Sequence, residues 1–163
     1  MTTANAGVRT LDPRLRTVWT VQAAIAVAVA VMVVLAAEIV ARLVGATSPV
    51  PTGVFAALVA VPGALAAWLL PAASWRRWWF ELADDALELH HGLLTVVHSA
   101  IPYGRVQYID IRQGPVERAL GLSRLVVHTA AATSDAELPG IASAEADGLR
   151  RTLLERSGVG DAV

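Results

Sequence analysis

The sequence predicts a membrane α-helical hairpin of two transmembrane helices, followed by a small β-barrel that carries a C-terminal α-helix. The first observation is an uncharged run of about 21 residues over 17–37, close to the ~20 residues that a helix needs to cross the bilayer core. The second is another uncharged run over 43–75. The third is a change after residue 78 to short segments of alternating polarity, which are typical of strands. The first half therefore belongs in a membrane, and the second half forms one small domain.

The two apolar runs predict transmembrane helices over 15–44 and 51–71, preceded by a flexible cytoplasmic tail over 1–14. Pro71 is expected to end the second helix, because proline interrupts the helical hydrogen bonds. The first run is longer than the roughly 7–15 apolar residues of a signal peptide, so we expect it to be retained. Small residues dominate both runs, which favours close packing of the two helices as an antiparallel hairpin.

The placement of arginine predicts the orientation. Three arginines precede the first run and two follow the second, whereas the connection between the runs has only Arg42 at its edge. Positively charged flanks prefer the cytoplasm. We therefore predict a multi-pass protein of the cytoplasmic (inner) membrane with both termini cytoplasmic.

Glu38 is the acidic residue nearest to the membrane in this sequence. An acid within a membrane span is a candidate for an ion or proton relay. Arg42 lies four residues later on the same helix face, in the order that favours an ion pair. We favour the ion pair and keep the relay as the alternative.

The second half predicts one domain over 76–157 and a short tail over 158–163. Ser143 is expected to cap the final helix and Gly158 to end it. Ala146, Leu149 and Leu153 recur at helical spacing and give this helix one apolar face. Strands are expected over 78–82, 87–90, 94–102, 107–111, 125–129 and 136–138.

Composition excludes several classes of function. The chain has no cysteine, so disulfides, thiolate metal sites and cysteine nucleophiles are absent. Arginine supplies all 13 basic residues, so Schiff-base chemistry and a P-loop lysine are also absent. A net charge of −1 does not provide the basic face that nucleic acids need, and we predict no nucleic-acid partner.

The remaining candidates for chemistry have simpler interpretations. His90 and His91 are adjacent on a predicted strand, so they face opposite sides and cannot share a metal ion. His98 and His128 each stand alone on other strands. Paired aspartates at 84–85 suit a hairpin turn. We therefore predict no enzyme, no metal site and no cofactor.

Three stretches of the second half form a recognisable set, over 101–107 (IPYGRVQ), 113–122 (QGPVERALGL) and 126–130 (VVHTA). Together they resemble the bacterial PH-like domain of YdbS-like membrane proteins. The LPGI link over 138–141 and the two preceding apolar helices also fit this family. The resemblance implies a PH-like barrel with a C-terminal helix, and it implies little chemistry, because a fold does not determine a function.

Four arginines near predicted loops are the candidates for lipid or partner contact, because guanidinium groups bind phosphate with paired hydrogen bonds. The competing interpretation is that Arg105 and Arg118 form ion pairs with nearby acids and fix the loops. Our leading hypothesis is a non-enzymatic assembly or protein-interaction module in the cell envelope, which binds itself or another PH-like membrane protein. The alternative is a phospholipid-headgroup-binding domain at the inner membrane surface, with membrane lipids as partners. The four candidates are Arg105, Arg112, Arg118 and Arg124.

Overall fold

The computed structural model describes residues 8–45, 49–130 and 135–158. The chain divides into two compact units. The helical unit is Arg16–Ala72, and the β unit comprises the described residues up to Leu15 together with those from Ala73 onward. The helices are α1 (Leu15–Leu43), α2 (Val54–Arg76), α3 (Pro115–Ala119) and α4 (Ser143–Ser157). The strands are β1 (Arg9–Thr10), β2 (Trp79–Leu82), β3 (Ala86–His91), β4 (Val97–Pro102), β5 (Val106–Arg112), β6 (Leu122–Thr129) and β7 (Ala136–Ala142), with a 3₁₀ helix at Tyr103–Arg105.

Helices α1 and α2 are both long and apolar enough to cross a membrane. They approach closely at Gly63, where an added Cβ would lie 3.0 Å from both γ-methyl groups of Val27. Such contact through a small residue is how membrane helices pack. The prediction that Pro71 ends the second helix is wrong, because α2 continues to Arg76 with Pro62 and Pro71 inside it. Continuing the helix through a proline costs one backbone hydrogen bond, whereas ending it in hydrocarbon would leave several backbone groups without partners.

The predicted ion pair between Glu38 and Arg42 does not form. Glu38 Oε2 instead accepts a hydrogen bond from the backbone N–H of Gly53 at 2.5 Å, and Arg42 Nη2 donates to the carbonyl of Val50 at 2.6 Å. Gly53 directly precedes α2, where backbone N–H groups lack helical partners and attract a carboxylate. Both side chains therefore fasten the connection between the two helices.

Two antiparallel sheets build the β unit, with strand orders β1-β2-β3-β4 and β5-β6-β7. Helix α4 packs against β5, β6, β7 and the 3₁₀ helix. Its predicted apolar face is buried as expected, with Leu153 only 1% exposed. The predicted fold class is confirmed: two apolar helices precede an antiparallel β domain that ends in a helix, and the β domain consists of two sheets.

The predicted flexible tail over 1–14 differs from the structure in its described part. Arg9 and Thr10 pair with β2, and Leu11 is 2% exposed. The Leu11 carbonyl accepts a hydrogen bond from Trp75 Nε1 at 3.1 Å, and the Asp12 backbone N–H donates to the Gly140 carbonyl at 3.2 Å. A two-residue strand shows no alternation of polarity, so the sequence pattern gave no sign of it. Residues 1–7 and 159–163 lie outside the described residues.

Two further boundaries differ from the sequence prediction. Strand β4 begins at Val97 and not at Leu94, because the chain over 92–96 forms a loop. Ser143 is the first residue of α4 and makes no capping hydrogen bond, since its hydroxyl contacts other side chains. Gly158 does follow α4 as predicted, with φ at +71°, where glycine is the favoured residue.

Candidate functional site

The four arginines predicted as lipid or partner contacts do not form one cluster. Arg112 and Arg124 occupy paired positions on β5 and β6. Arg105 ends the 3₁₀ helix at the other end of β5, roughly 23 Å away at 3.3 Å per strand residue. Arg118 lies on α3. A single phosphate group therefore cannot contact all four.

Arg124 belongs to an ion-pair network that fixes α3 to the sheet. Its Nη2 and Nε donate to Glu117 Oε1 at 2.9 and 3.3 Å, and its Nη1 donates to Glu137 Oε2 at 3.1 Å. Glu117 is 3% exposed, and its Oε2 accepts from the Gly114 backbone N–H at 2.7 Å. Burial alone would lower the pKa of Arg124, but the hydrogen bond and charge of Glu117, together with Glu137, raise it above its usual value. This guanidinium is engaged within the fold.

Asp110 also pairs with an arginine other than the predicted Arg105 or Arg118. Asp110 Oδ2 lies 3.1 Å from Arg112 Nη2, because residues two apart on a strand share one face. Arg105 and Arg118 are exposed, and among the described residues neither has a carboxylate within 4.0 Å. The prediction that these two arginines hold Asp110 and Glu117 is therefore wrong.

The 113–122 stretch that carried the family resemblance builds a structural corner. Gln113 Nε2 donates to the Leu122 carbonyl at 2.8 Å and to Ser143 Oγ at 2.6 Å. Ser143 Oγ also lies 2.9 Å from the buried Ser123 Oγ. Gly121 has a φ of +67°, which a side chain would strain. The stretch thus joins α3, β6 and α4, and its residues are used by the fold.

His128, on β6, makes contacts across the β5-β6-β7 sheet that the sequence did not predict. Its Nδ1 lies 2.8 Å from Asp135 Oδ2, and its Nε2 lies 3.4 Å from Asp110 Oδ2 without hydrogen-bond geometry. The ring also stacks on Tyr108 with centroids 4.3 Å apart. The sequence gave no signal for these contacts, since they cross from one strand to another.

His90 and His98 form a second unpredicted pair, on facing strands β3 and β4. Their Nδ1 atoms are 2.9 Å apart, and Trp79 stacks on His90 at 5.0 Å. Desolvation lowers the pKa of His90, and the nearby His98 and His91 lower it further. At this Nδ1–Nδ1 distance, a hydrogen bond requires one ring to carry its proton on Nδ1 and the other to accept it. In the part of the chain that the structure describes, no three His, Cys, Asp or Glu residues gather as metal ligands.

The sheet edges differ in how well they are covered. Strand β1 has only two residues. The β7 edge carries Glu137 and Pro139, and its Gly140 carbonyl is already bonded to the Asp12 N–H. Strand β4 is six residues long, contains no Asp, Glu, Lys or Arg, and has β3 as its one sheet neighbour among the described strands. Edge strands are normally protected by charge, proline or shortness, and β4 has a proline only at its last position.

Comparisons with known proteins agree with this architecture. Residues 15–157 match the sequence profile of the family described as Bacterial PH domain. The chain is 26% identical to the UPF0699 transmembrane protein YdbS of Bacillus subtilis over 110 residues, which cover 68% of each protein. It is 28% identical to the UPF0699 transmembrane protein YdbT of the same organism over 98 residues, 58% of this chain but only 20% of that relative.

Two solved structures are also similar. A protein with a pleckstrin-homology domain from Shewanella loihica matches with a TM-score of 0.40 and 14% identity, over 50% of this chain and 72% of that one. A pleckstrin homology domain from Shewanella amazonensis matches with a TM-score of 0.38 and 16% identity, over 73% of this chain and 98% of that one.

Proposed function

We propose that this chain, which belongs to the bacterial PH domain family, is a non-enzymatic, membrane-anchored assembly module whose β unit binds a second PH-like chain. Its relatives are named transmembrane proteins, and its own two apolar helices agree with a membrane location. The observation that carries the proposal is the edge of β4, which has no charged residue and is paired with no further strand among the described residues. The partner is a second copy of this chain or another PH-like membrane protein.

An uncovered strand edge is a template for pairing with another chain. Its outward backbone N–H and C=O groups bind a partner strand, and alternate side chains provide specificity. Six residues give β4 a length of about 20 Å at 3.4 Å per residue. The exposed side chains along it are Val97, His98, Ala100 and Pro102, none of which carries a permanent charge. Strand addition at this edge therefore meets no charge repulsion.

Single cysteines test this pairing, because the natural chain contains none. We expect His98→Cys or Ala100→Cys to form a disulfide-linked dimer in native membranes on mild oxidation, since opposed residues on antiparallel strands have Cβ atoms about 4.5–5.5 Å apart. Ala119→Cys, at an exposed position on α3, is the matched control and should stay uncrosslinked. Ala100→Lys should abolish the association, and Ala119→Lys should leave it intact.

Three other outcomes complete the test. Capture of another PH-like membrane protein, lost in Ala100→Lys, would support assembly with a heterologous partner. A full chain that is monomeric and captures no PH-like protein would overturn the proposal. The headgroup alternative now depends on Arg105 and Arg118, the two of the four candidate arginines that have no carboxylate partner among the described residues. Retention of an anionic phospholipid by the purified chain, lost on changing both to Ala, would favour that alternative.

We also propose that the protein spans the inner membrane twice, with both termini cytoplasmic. Arginines lie at the N-terminal end of the first helix and at the C-terminal end of the second, and positively charged flanks remain in the cytoplasm. A reporter fused before Met1 and another fused after Val163 should both give cytoplasmic signals. A reporter inserted over 49–52 should give a periplasmic or external signal. A C-terminal reporter outside the cytoplasm would contradict this orientation.

A further inference from the structure

The loop over 92–96, between β3 and β4, presents apolar side chains to the surroundings. Leu94 at its tip is 98% exposed, and Val96 is 49% exposed. We call residues 92–96 the apolar loop. These two side chains form a small apolar tip whose transfer from water to an apolar environment would be favourable.

The apolar loop has a defined conformation. Gly92 has a φ of +115°, and an added Cβ there would lie 1.9 Å from the Thr95 carbonyl oxygen, so this turn requires glycine. Arg77 Nη1 donates to the Leu93 carbonyl at 3.0 Å. Beside this contact, Trp78 stacks on His91 with ring centroids 5.0 Å apart. These contacts fix the loop and the end of β3 that precedes it to the two residues that follow α2.

The apolar loop is attached to the chain just after α2, the second of the two helices long and apolar enough to cross a membrane. Helix α2 has 23 residues and is therefore about 35 Å long, enough to cross a ~30 Å hydrocarbon core and reach the interface at its end. Its last residues, from Ala73 to Arg76, belong to the same compact unit as the apolar loop. The Leu93 carbonyl is hydrogen-bonded to the side chain of Arg77, the first residue after the helix. Tryptophan and arginine at 75–78 are the residue types that occupy membrane interfaces.

We propose that the apolar loop inserts Leu94 into the boundary between headgroups and acyl chains of the same membrane that α2 spans. The occupant of this surface is the lipid bilayer. The exposed Arg76 and Arg77 next to it are suited to lipid phosphates, and the small apolar tip matches a shallow insertion. The contact holds the β unit at the bilayer surface by a second point besides the helices. It is separate from the β4 edge pairing proposed above.

A fluorescent probe on a single cysteine tests the insertion in the full chain. Leu94→Cys, labelled with a polarity-sensitive nitrobenzoxadiazole group, is placed in nanodiscs that hold one copy of the protein in phosphatidylglycerol–phosphatidylethanolamine bilayers. We expect emission at shorter wavelength than in water and quenching by spin-labelled lipids, with a depth of about 5–10 Å below the headgroups. Ala119→Cys with the same label is the control, and it should show water-like emission without lipid quenching. Because Leu94 is so exposed, its replacement should leave the fold intact, which protease resistance checks.

Each result decides the proposal. Lipid quenching at Leu94→Cys but not at Ala119→Cys supports insertion. Water-like emission at both positions overturns it. A short-wavelength emission at Leu94→Cys that lipids do not quench also overturns it, because a protein surface would then cover the loop.

Discussion

The substitution Leu153→Asp is expected to unfold the β unit. Leu153 is 1% exposed, and α4 carries it into the packing against β5 and β6. Losing a buried leucine costs about 2–5 kcal/mol, and a carboxyl group buried without partners adds a desolvation cost of at least about 1–3 kcal/mol. The sum rivals the ~5–15 kcal/mol that stabilises a typical domain. We expect rapid protease cleavage of the β unit in isolated membranes, while the apolar helices remain inserted.

The matched control is Arg151→Asp on the same helix. Arg151 is exposed, so this change introduces the same poor helix former without burying its charge. Protease resistance should stay near that of the natural chain. Equal resistance of Leu153→Asp and the natural chain would show that α4 does not cap the sheets and is a separable segment.

Helix α4 and the two apolar helices were predictable because their signals are local. The repeat of Ala146, Leu149 and Leu153 needs only helical spacing to identify a buried face, and all three are buried. The uncharged runs similarly identify α1 and α2 by length alone. Boundaries were less predictable where a proline suggested an end, because Pro71 lies within α2.

The interactions of the candidate site were not predictable, because they join residues far apart in sequence. Which arginine holds Glu117 depends on how β6 lies against α3, and the structure selects Arg124 although Arg118 is the sequence neighbour. The contact of Leu11 with Trp75 spans 64 residues and converts part of an expected tail into a piece of the fold. The open edge of β4 likewise follows from the strand order, which no segment encodes by itself.

This difference changes the interpretation of the arginines. The sequence offered four equivalent cations for phosphate binding, and the structure uses two of them in ion pairs with Asp110, Glu117 and Glu137. A guanidinium already paired with carboxylates must lose those contacts before it binds an external phosphate. Arg112 and Arg124 are therefore poorly placed for phosphate binding, and the headgroup hypothesis keeps only Arg105 and Arg118 of its four candidates.

Removing the buried carboxylate with Glu117→Ala should destabilise the β unit by about 2–4 kcal/mol, somewhat below the usual cost of breaking a buried pair, since Arg124 is partly exposed and keeps Glu137. The change also leaves the Gly114 N–H without its acceptor. Thermal or denaturant unfolding of the purified full chain measures the loss. Glu137→Ala is the control: Glu137 is 52% exposed, so its removal should cost less than about 1 kcal/mol.

In the double variant of Glu117→Ala with Arg124→Ala, the loss of stability should be smaller than the sum of the two single losses, because no unpaired guanidinium remains. Strictly additive losses would show that the pair contributes nothing to the corner between α3 and β6.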